Sequence, residues 1–392
     1  MILSLFKKQL NKLKDSGYLR KRIVVDNKNL AQVKVKNKLV TSFASNDYLG
    51  MSKNSHVISM LMKSANNNGA GSCSSPLITG FSKAHHYLER EISEYLSTEA
   101  CIVVNSGYMA NLCVLNIFDN EINVLQDRES HNSIIESSKL NKVRMRRYKH
   151  LDNSELENNL DSKNKNIIFS EAVFSMSGDI TNLRLHNKLR NKYKALLFLD
   201  DAHGFGVARC DNSSAIIENS CSSHNIDPSE VDAYIGTFGK AVGTLGAFIC
   251  GSKDMIDMII QKGRPYIYST ALPQCIIDAT RKSLKILASN KTRFNKLHRN
   301  IDYFNEMSTN RNINTNISST PIKTVTLGNP KSTISLRDKF LKHGILVQAI
   351  RYPTVPRNQD KIRITLTSNH TKKDIDKLLN TLENIHCEKF TQ

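Results

Sequence analysis

The 392-residue sequence has no long apolar run. Residues 195–199, an unbroken apolar stretch of five, fall far below the roughly 20 needed to span a bilayer. Cysteine is sparse and unpatterned: eight occur and none forms a Cys-x-x-Cys pair. A chain of this length needs no disulfide framework, so the reading is reduced thiols and a cytoplasmic location. Metal-ligand spacings, internal repeats and low-complexity tracts are missing too. The amino-terminal stretch lacks the apolar core and small-residue cleavage site of a secretory signal. Ile2, Leu5, Phe6, Leu10 and Leu13 instead fall at helical spacing with lysines between them, which predicts an ordered helix.

Acidic residues are also short, 36 against 55 lysines and arginines, for a net charge of +19. Such an excess first suggests nucleic acid. The lysines are scattered among asparagines, as in Lys163-Asn164-Lys165-Asn166, and no zinc-finger spacing or RNA-binding signature accompanies them. Neither nucleic acid nor membrane is therefore expected as a partner. The positive field suits an anionic substrate or an acidic carrier protein.

What remains is globular in character, with 40% hydrophobic and 23% charged residues, and exceeds one typical domain. His86, Leu88, Ile92, Tyr95 and Leu96 predict an amphipathic helix over 82–97. Short apolar runs at 101–104, 122–125, 167–169, 196–199, 233–235 and 247–250 alternate with helical segments. That alternation predicts crossover units and a largely parallel α/β sheet. After about residue 287 the composition shifts: a polar helical segment over 290–316 precedes strand-like runs at 322–327 and 362–366. The expected division is an amino-terminal helix with short strands (1–45), a large domain (46–287) and a carboxy-terminal α+β domain (288–392).

Two segments carry the chemistry. Asp200-Asp201-Ala202-His203-Gly204 closes the apolar run at 195–199, and Thr237-Phe238-Gly239-Lys240 follows about one supersecondary unit later on a Gly-rich turn. Alone, an Asp at a strand end is a helix cap and a lysine a solvated surface group. Together they suit pyridoxal phosphate. The lysine forms a Schiff base, the carboxylate pairs with the pyridinium nitrogen, and the threonine with nearby backbone N–H groups binds phosphate. Asn105-Ser106-Gly107-Tyr108 opens a helix, a second phosphate-binding arrangement. His131 follows the run at 122–125, where an imidazole can stack on a ring. Ser175 follows the run at 167–169 and can donate to a phenolate oxygen.

These residues, with Ser45-Asn46-Asp47-Tyr48-Leu49-Gly50, Asp127-Arg128-Glu129-Ser130-His131, Glu171-Ala172-Val173-Phe174-Ser175-Met176 and Tyr268-Ser269-Thr270-Ala271-Leu272-Pro273, resemble the α-oxoamine synthases, a branch of the fold-type-I pyridoxal-phosphate enzymes. The motifs run in family order from about residue 20 to 366. The resemblance implies an aspartate-aminotransferase-like large domain with a mostly parallel seven-stranded sheet, a smaller α+β domain and an amino-terminal helical segment. It also implies a homodimer with shared active sites. Leu19-Arg20-Lys21-Arg22, Thr79-Gly80-Phe81-Ser82 and Ala349-Ile350-Arg351-Tyr352-Pro353-Thr354-Val355-Pro356 resemble the biotin-pathway members, acyltransferases that condense L-alanine with a pimeloyl thioester on CoA or acyl carrier protein. Sibling synthases that use glycine or serine, or make a signalling amino-ketone, are the alternatives within the family, and a non-catalytic subunit is the alternative outside it.

By resemblance, Lys240 carries the cofactor and removes the α-proton, Asp200 pairs with the pyridinium, and His131 stacks on the ring beside the substrate. His203 and Ser175 contact the phenolate oxygen. Gly107, Tyr108 and Thr237 hold the phosphate, with Thr270 reaching it from the other subunit. Asn46 and Arg363 take the amino-acid carboxylate, Arg20 and Thr354 contact the acyl substrate, and Arg351 is a further substrate-binding residue. The chain differs from the family at Gly71-Ser72-Cys73-Ser74-Ser75-Pro76, which lacks a frequent arginine, at Lys361, where arginine is common, and at Tyr108, where Phe is frequent.

Overall fold

A computed structural model describes residues 2–27, 31–118, 121–210 and 215–390. The chain divides into two compact units. A central unit comprises residues 49–175 and 179–294, and a terminal unit comprises residues 1–48, 176–178 and 295–392.

The central unit is built on a seven-stranded sheet in the order Ala100–Val104, Ala247–Gly251, Ala233–Thr237, Leu196–Asp200, Lys165–Glu171, Ile122–Asp127, Arg144–Tyr148. The last five strands of that order run parallel, and Ala247–Gly251 lies antiparallel to both its neighbours. Ile122–Asp127, Ala233–Thr237 and Ala247–Gly251 are buried along their whole length. That is why they read as continuous apolar runs rather than alternating ones: helices cover both faces of a parallel sheet. Ile102, Val124, Ile167, Phe198 and Ile249 pack with Ala110 and Val114 of the helix Gly107–Asn116 to form its core. All six strands expected from the sequence are present. The seventh, Arg144–Tyr148, escaped the pattern because its sequence Arg-Met-Arg-Arg-Tyr is mostly charged. It is an edge strand, and charge on an edge blocks pairing with other chains.

The helix expected over 82–97 spans Lys83–Leu96 and buries Leu88, Ile92 and Leu96, four residues apart on one face. Its start is fixed by a capping box between Ser82 and His85.

In the terminal unit the strands Val25–Asn27, Gln32–Val35 and Lys38–Ser42 form a meander. Lys38–Ser42 then pairs in parallel with Ile345–Leu346, so the two ends of the sequence share one sheet. A second sheet has the order Ile322–Thr326, Lys361–Thr365, Gln348–Ile350, all antiparallel. The amino-terminal helix spans Ile2–Asp15, with Leu3, Leu5, Phe6 and Leu10 exposed. Among the described residues no helix is long and apolar enough to cross a membrane.

Candidate active site

Parallel strands of an α/β sheet present ligand-binding residues at their carboxyl ends. Four neighbouring strands of the central sheet end there on polar residues: Asp127, Glu171, Asp200 and Thr237. Glu171 and Asp200 are register partners, so two carboxyl groups stand side by side. The structure resolves that like-charge conflict by protonation. Burial first, and the charge of Asp200 second, raise the Glu171 carboxyl to about 8. Its oxygens accept from the backbone N–H groups of His131 (2.6 Å) and Ser175 (3.3 Å).

Asp200 is 6% exposed. Its Oδ2 accepts from Asn111 Nδ2 at 2.7 Å and its Oδ1 from the backbone N–H of Ala202 at 3.0 Å. Asn111 also donates to Ser133 Oγ at 2.8 Å, and Ser133 lies 2.7 Å from His131 Nδ1. A buried chain of polar side chains thus runs from Asp200 through Asn111 and Ser133 to His131. Asp201, by contrast, is fully committed to the fold. It accepts from the Ser220 hydroxyl (2.5 Å), the Ser220 backbone (2.9 Å) and the Tyr234 hydroxyl, and its burial raises the carboxyl to about 6. Of the two adjacent acids, Asp200 is the one that keeps acceptor capacity for a ligand.

His131 caps the helix Asn132–Leu140 and is exposed. Desolvation lowers its pKa; the charge of Asp200 opposes this and that of Lys240 adds to it. The imidazole is therefore neutral near pH 7, as a ring that stacks should be. Lys240 acts electrostatically on Glu171 as well, so Lys240, His131, Glu171 and Asp200 belong to one site. Ser175 and His203 are buried beside the same strand ends, 5% and 6% exposed.

The turn before Lys240 is held by Thr237, whose hydroxyl donates to the Gly246 carbonyl at 2.9 Å and accepts from the Gly239 N–H at 3.3 Å. The helix Gly107–Asn116 begins at Ser106, whose hydroxyl accepts from the Met109 N–H at 3.3 Å. A Cβ on Gly107 would meet nothing within 4 Å, so the first-turn backbone is open to an anion. Tyr108 and Thr270 are exposed, and Asn105 Nδ2 donates to the Thr270 carbonyl at 2.8 Å.

The terminal unit holds the other expected residues. Arg363 is 2% exposed, and Nη1 and Nη2 both donate to Asn46 Oδ1 at 3.3 Å. A further contact reaches Gln348 Oε1 at 3.5 Å, and Nε is buried without a hydrogen-bond partner. Burial drives the nearby Tyr48 hydroxyl up to about 12 against the opposing pull of Arg363, so it stays neutral. Among the described residues no carboxylate pairs with Arg363. An ionised guanidinium buried among neutral oxygens is expensive, a cost that an anionic ligand would offset. Lys361, on the same strand face, is buried but makes no such bonds. Arg20 and Thr354 are exposed, while Arg351 is half-buried and donates through Nη1 to the Gly17 carbonyl. Sequence reasoning missed Asn111, Ser133 and Glu171 as parts of the site. Asn111 and Ser133 lie inside helices, where no turn or strand end marks them.

The aminotransferase class I and II family profile matches residues 38–382. The 8-amino-7-oxononanoate synthase of Thioalkalivibrio sulfidiphilus is 33% identical over 381 residues, covering 96% of this chain and 96% of that protein. The solved 8-amino-7-oxononanoate synthase of Francisella tularensis is 29% identical, with a TM-score of 0.77 over 90% of this chain and 99% of that one. A serine palmitoyltransferase from S. paucimobilis shares the fold at a TM-score of 0.89 and 22% identity, over 97% of this chain and 96% of that one. The strand order, the polar strand ends and these likenesses agree on an aminotransferase-like fold of type I, and the chain belongs to the aminotransferase class I and II family.

Proposed function

We infer that the chain catalyses the decarboxylative condensation of L-alanine with a pimeloyl thioester. The products are 8-amino-7-oxononanoate, carbon dioxide and the free thiol carrier, in biotin biosynthesis. The observation that carries this reading is the near-full-length likeness to 8-amino-7-oxononanoate synthases, together with a site whose residues fit pyridoxal phosphate. The fit rests on a buried carboxylate with spare acceptor capacity at Asp200, a neutral exposed imidazole at His131, an amine at Lys240 and an open helix start at Gly107.

When bound, pyridoxal phosphate supplies the electron sink for a carbanion at the alanine α-carbon. Asp200, oriented by Asn111, would pair with the ring nitrogen and favour its protonated form. Lys240 would anchor the cofactor and supply the amine base for the alanine α-proton, with the same amine able to return a proton to the product carbon. His131 would stack on the ring, and Ser175 and His203 would lie on the side of its phenolate oxygen. Gly107, Tyr108 and Thr237 would hold the phosphate. Asn46 and Arg363 bind the alanine carboxylate, which the planar guanidinium fork grips at two oxygens. Arg20 and Thr354 would receive the acyl donor, and Arg351 would be a further substrate contact.

The same reading makes the enzyme a cytoplasmic homodimer in which Thr270 of one copy reaches the phosphate of the other. Its support is an exposed apolar surface beside Thr270. Ile78 and Tyr268 are each 76% exposed, with Leu77 and Phe81 nearby, and the two segments are tied by Ala271 N–H to the Ser74 carbonyl at 2.9 Å. Mixing Lys240→Ala with Thr270→Ala chains should restore one complete site per mixed dimer. Full activity of a dilute monomer excludes the shared site.

Mass-spectrometric identification of the product from L-alanine and pimeloyl-CoA tests the function. Glycine and serine, and acetyl-, succinyl- and palmitoyl-CoA, serve as competitors. Turnover confined to glycine or serine assigns the chain to a sibling synthase.

A further inference from the structure

A short segment of the central unit joins the helices Arg264–Ile267 and Gln274–Ser289, and three hydrogen bonds pin its middle. The peptide between Thr270 and Ala271 is held at both ends. Its N–H, on Ala271, donates to the Ser74 carbonyl at 2.9 Å, and its carbonyl, on Thr270, accepts from Asn105 Nδ2 at 2.8 Å. The next carbonyl, on Ala271, accepts from the Ser72 hydroxyl at 2.5 Å. Packing is close on that side: a Cβ at Gly80 would lie 2.7 Å from the Ala271 Cβ and would collide with the Ser74 carbonyl oxygen.

The Asn105 side chain is not what holds its own turn. The strand Ala100–Val104 is paired along its whole length with Ala247–Gly251, and the helix that follows is capped by the Ser106 hydroxyl on the Met109 N–H. Asn105 instead makes a bond across 165 positions of sequence, at an exposed place where water competes and the gain in stability is small. The effect of that bond is directional. With Asn105 in place, the peptide after Thr270 is fixed from opposite sides. Without it the carbonyl loses its partner, and the rigid peptide plane can swing about its remaining bond to Ser74. Among the described residues, neither the N–H nor the hydroxyl of Thr270 makes a hydrogen bond, so both are available to a ligand.

We propose that Asn105 is a positioning residue for the cofactor of the other subunit: by holding the Thr270 carbonyl it aims the Thr270 N–H and hydroxyl at the phosphate bound by its partner. This rests on the reading that Thr270 is shared across a dimer. Asn105 lies two residues before Gly107, the start of the helix assigned to the chain's own phosphate. One hydrogen bond therefore joins the segments that serve the two phosphates. A residue kept only for its local turn acts on its own site, whereas a residue that acts through Thr270 acts on its neighbour's.

Mixed dimers separate the two cases, with Lys240→Ala marking the copy that cannot form a Schiff base. Full-length apo-protein is titrated with pyridoxal phosphate, and the visible absorbance of the Schiff base reports the one site that keeps Lys240. With Asn105→Ala on the Lys240→Ala chain, the altered copy is the one that lends Thr270, and the Kd at the intact site should rise about 10-fold. With Asn105→Ala on the Lys240-bearing chain, the Kd should stay within about twofold of the parent mixed dimer. In homodimers the Asn105→Ala/Thr270→Ala double variant should lose less affinity than the two single losses combined, since both act through one residue. The Tm of apo-protein should barely move with Asn105→Ala. A defect confined to the chain's own site, equal defects in the two arrangements, additive losses or a clearly lowered apo-protein Tm overturns the proposal in favour of a local role. If Thr270→Ala on the Lys240→Ala chain raises the Kd and Asn105→Ala there does not, the proposal fails and the shared site stands. If Thr270→Ala there changes nothing, the shared-site reading is wrong, and the proposal falls with it.

Discussion

At the carboxyl ends of the central sheet the buried acids are met by donors: Asp200 by Asn111 and the Ala202 backbone, Asp201 by Ser220 and Tyr234, Glu171 by the His131 and Ser175 backbones. The terminal unit is arranged the other way. Its Arg363 is buried against the neutral oxygens of Asn46 and Gln348, and its Arg351 stands near two further arginines. The first region holds its charges in fixed directions, which suits a cofactor whose ring and proton must not move. The second leaves cations undercompensated, which suits substrates that arrive and leave as anions. Satisfied hydrogen bonds thus distinguish the residues proposed for the cofactor from those proposed for the substrates.

The largest effect should come from Lys240→Ala, which removes both the anchor and the base. Turnover should fall by about 10³-fold or more, with weak cofactor binding retained. Borohydride reduction and peptide mapping of the wild-type protein should put the cofactor adduct on Lys240; an adduct on another lysine breaks the assignment of the central site.

Asp200→Asn keeps the shape and removes the charge. A rate loss of about 100-fold is expected, roughly 3 kcal/mol of transition-state stabilisation, with Tm nearly unchanged. Asp201→Asn should show the opposite balance, losing about 1–3 kcal/mol of stability because three donors depend on that carboxylate. Thermal denaturation and steady-state kinetics on both variants decide between them, and near-normal activity of Asp200→Asn removes it from the ring.

Arg363→Lys should raise the KM for L-alanine about 10-fold, or ~1.4 kcal/mol, since a lysine cannot reproduce the fork. Lys361→Ala should alter that KM little. Equal effects from the two substitutions erase the distinction drawn between the cation that reaches Asn46 and the one on the same strand face that does not.

The smallest effect sharpens the comparison from the acid-rich side. His150 bridges Asp127 (3.0 Å) and Asp179 (3.1 Å). Burial alone would lower its pKa, but those two hydrogen bonds and the surrounding acids override it and raise it to about 10. A folded-state value above the unfolded one gives stability that is fully present below the ordinary imidazole pKa of roughly 6.5 and is lost as pH rises toward 10. The Tm difference between wild type and His150→Gln should therefore shrink steadily over that range. A constant difference means His150 contributes by packing alone.

Much of this arrangement was legible in the sequence, for identifiable reasons. Strands buried on both faces announce themselves as apolar runs, and the residues that close those runs, Asp200 and Thr237, stand at the strand ends where the site forms. What stayed hidden has reasons too. Arg144–Tyr148 is a charged edge and carries no apolar signal. Asn111 reaches Asp200 from the middle of a helix, 89 positions away in sequence, with nothing local to mark it. Alternation puts residues 361 and 363 on one face and cannot tell which cation finds Asn46.

The parallel pairing of Lys38–Ser42 with Ile345–Leu346 has a consequence for how the polypeptide is made. Partners in that pairing, Thr41 and Ile345, lie roughly 300 residues apart. At translation speeds of about 5–20 residues per second, the earlier strand leaves the ribosome on the order of 15–60 s before the later one exists. Through that interval the segments of the central unit emerge in near-unbroken succession and can fold, while the early strands, rich in valine, wait with an open edge. The terminal unit is thus completed last, and chaperone depletion should damage it before it damages the central sheet.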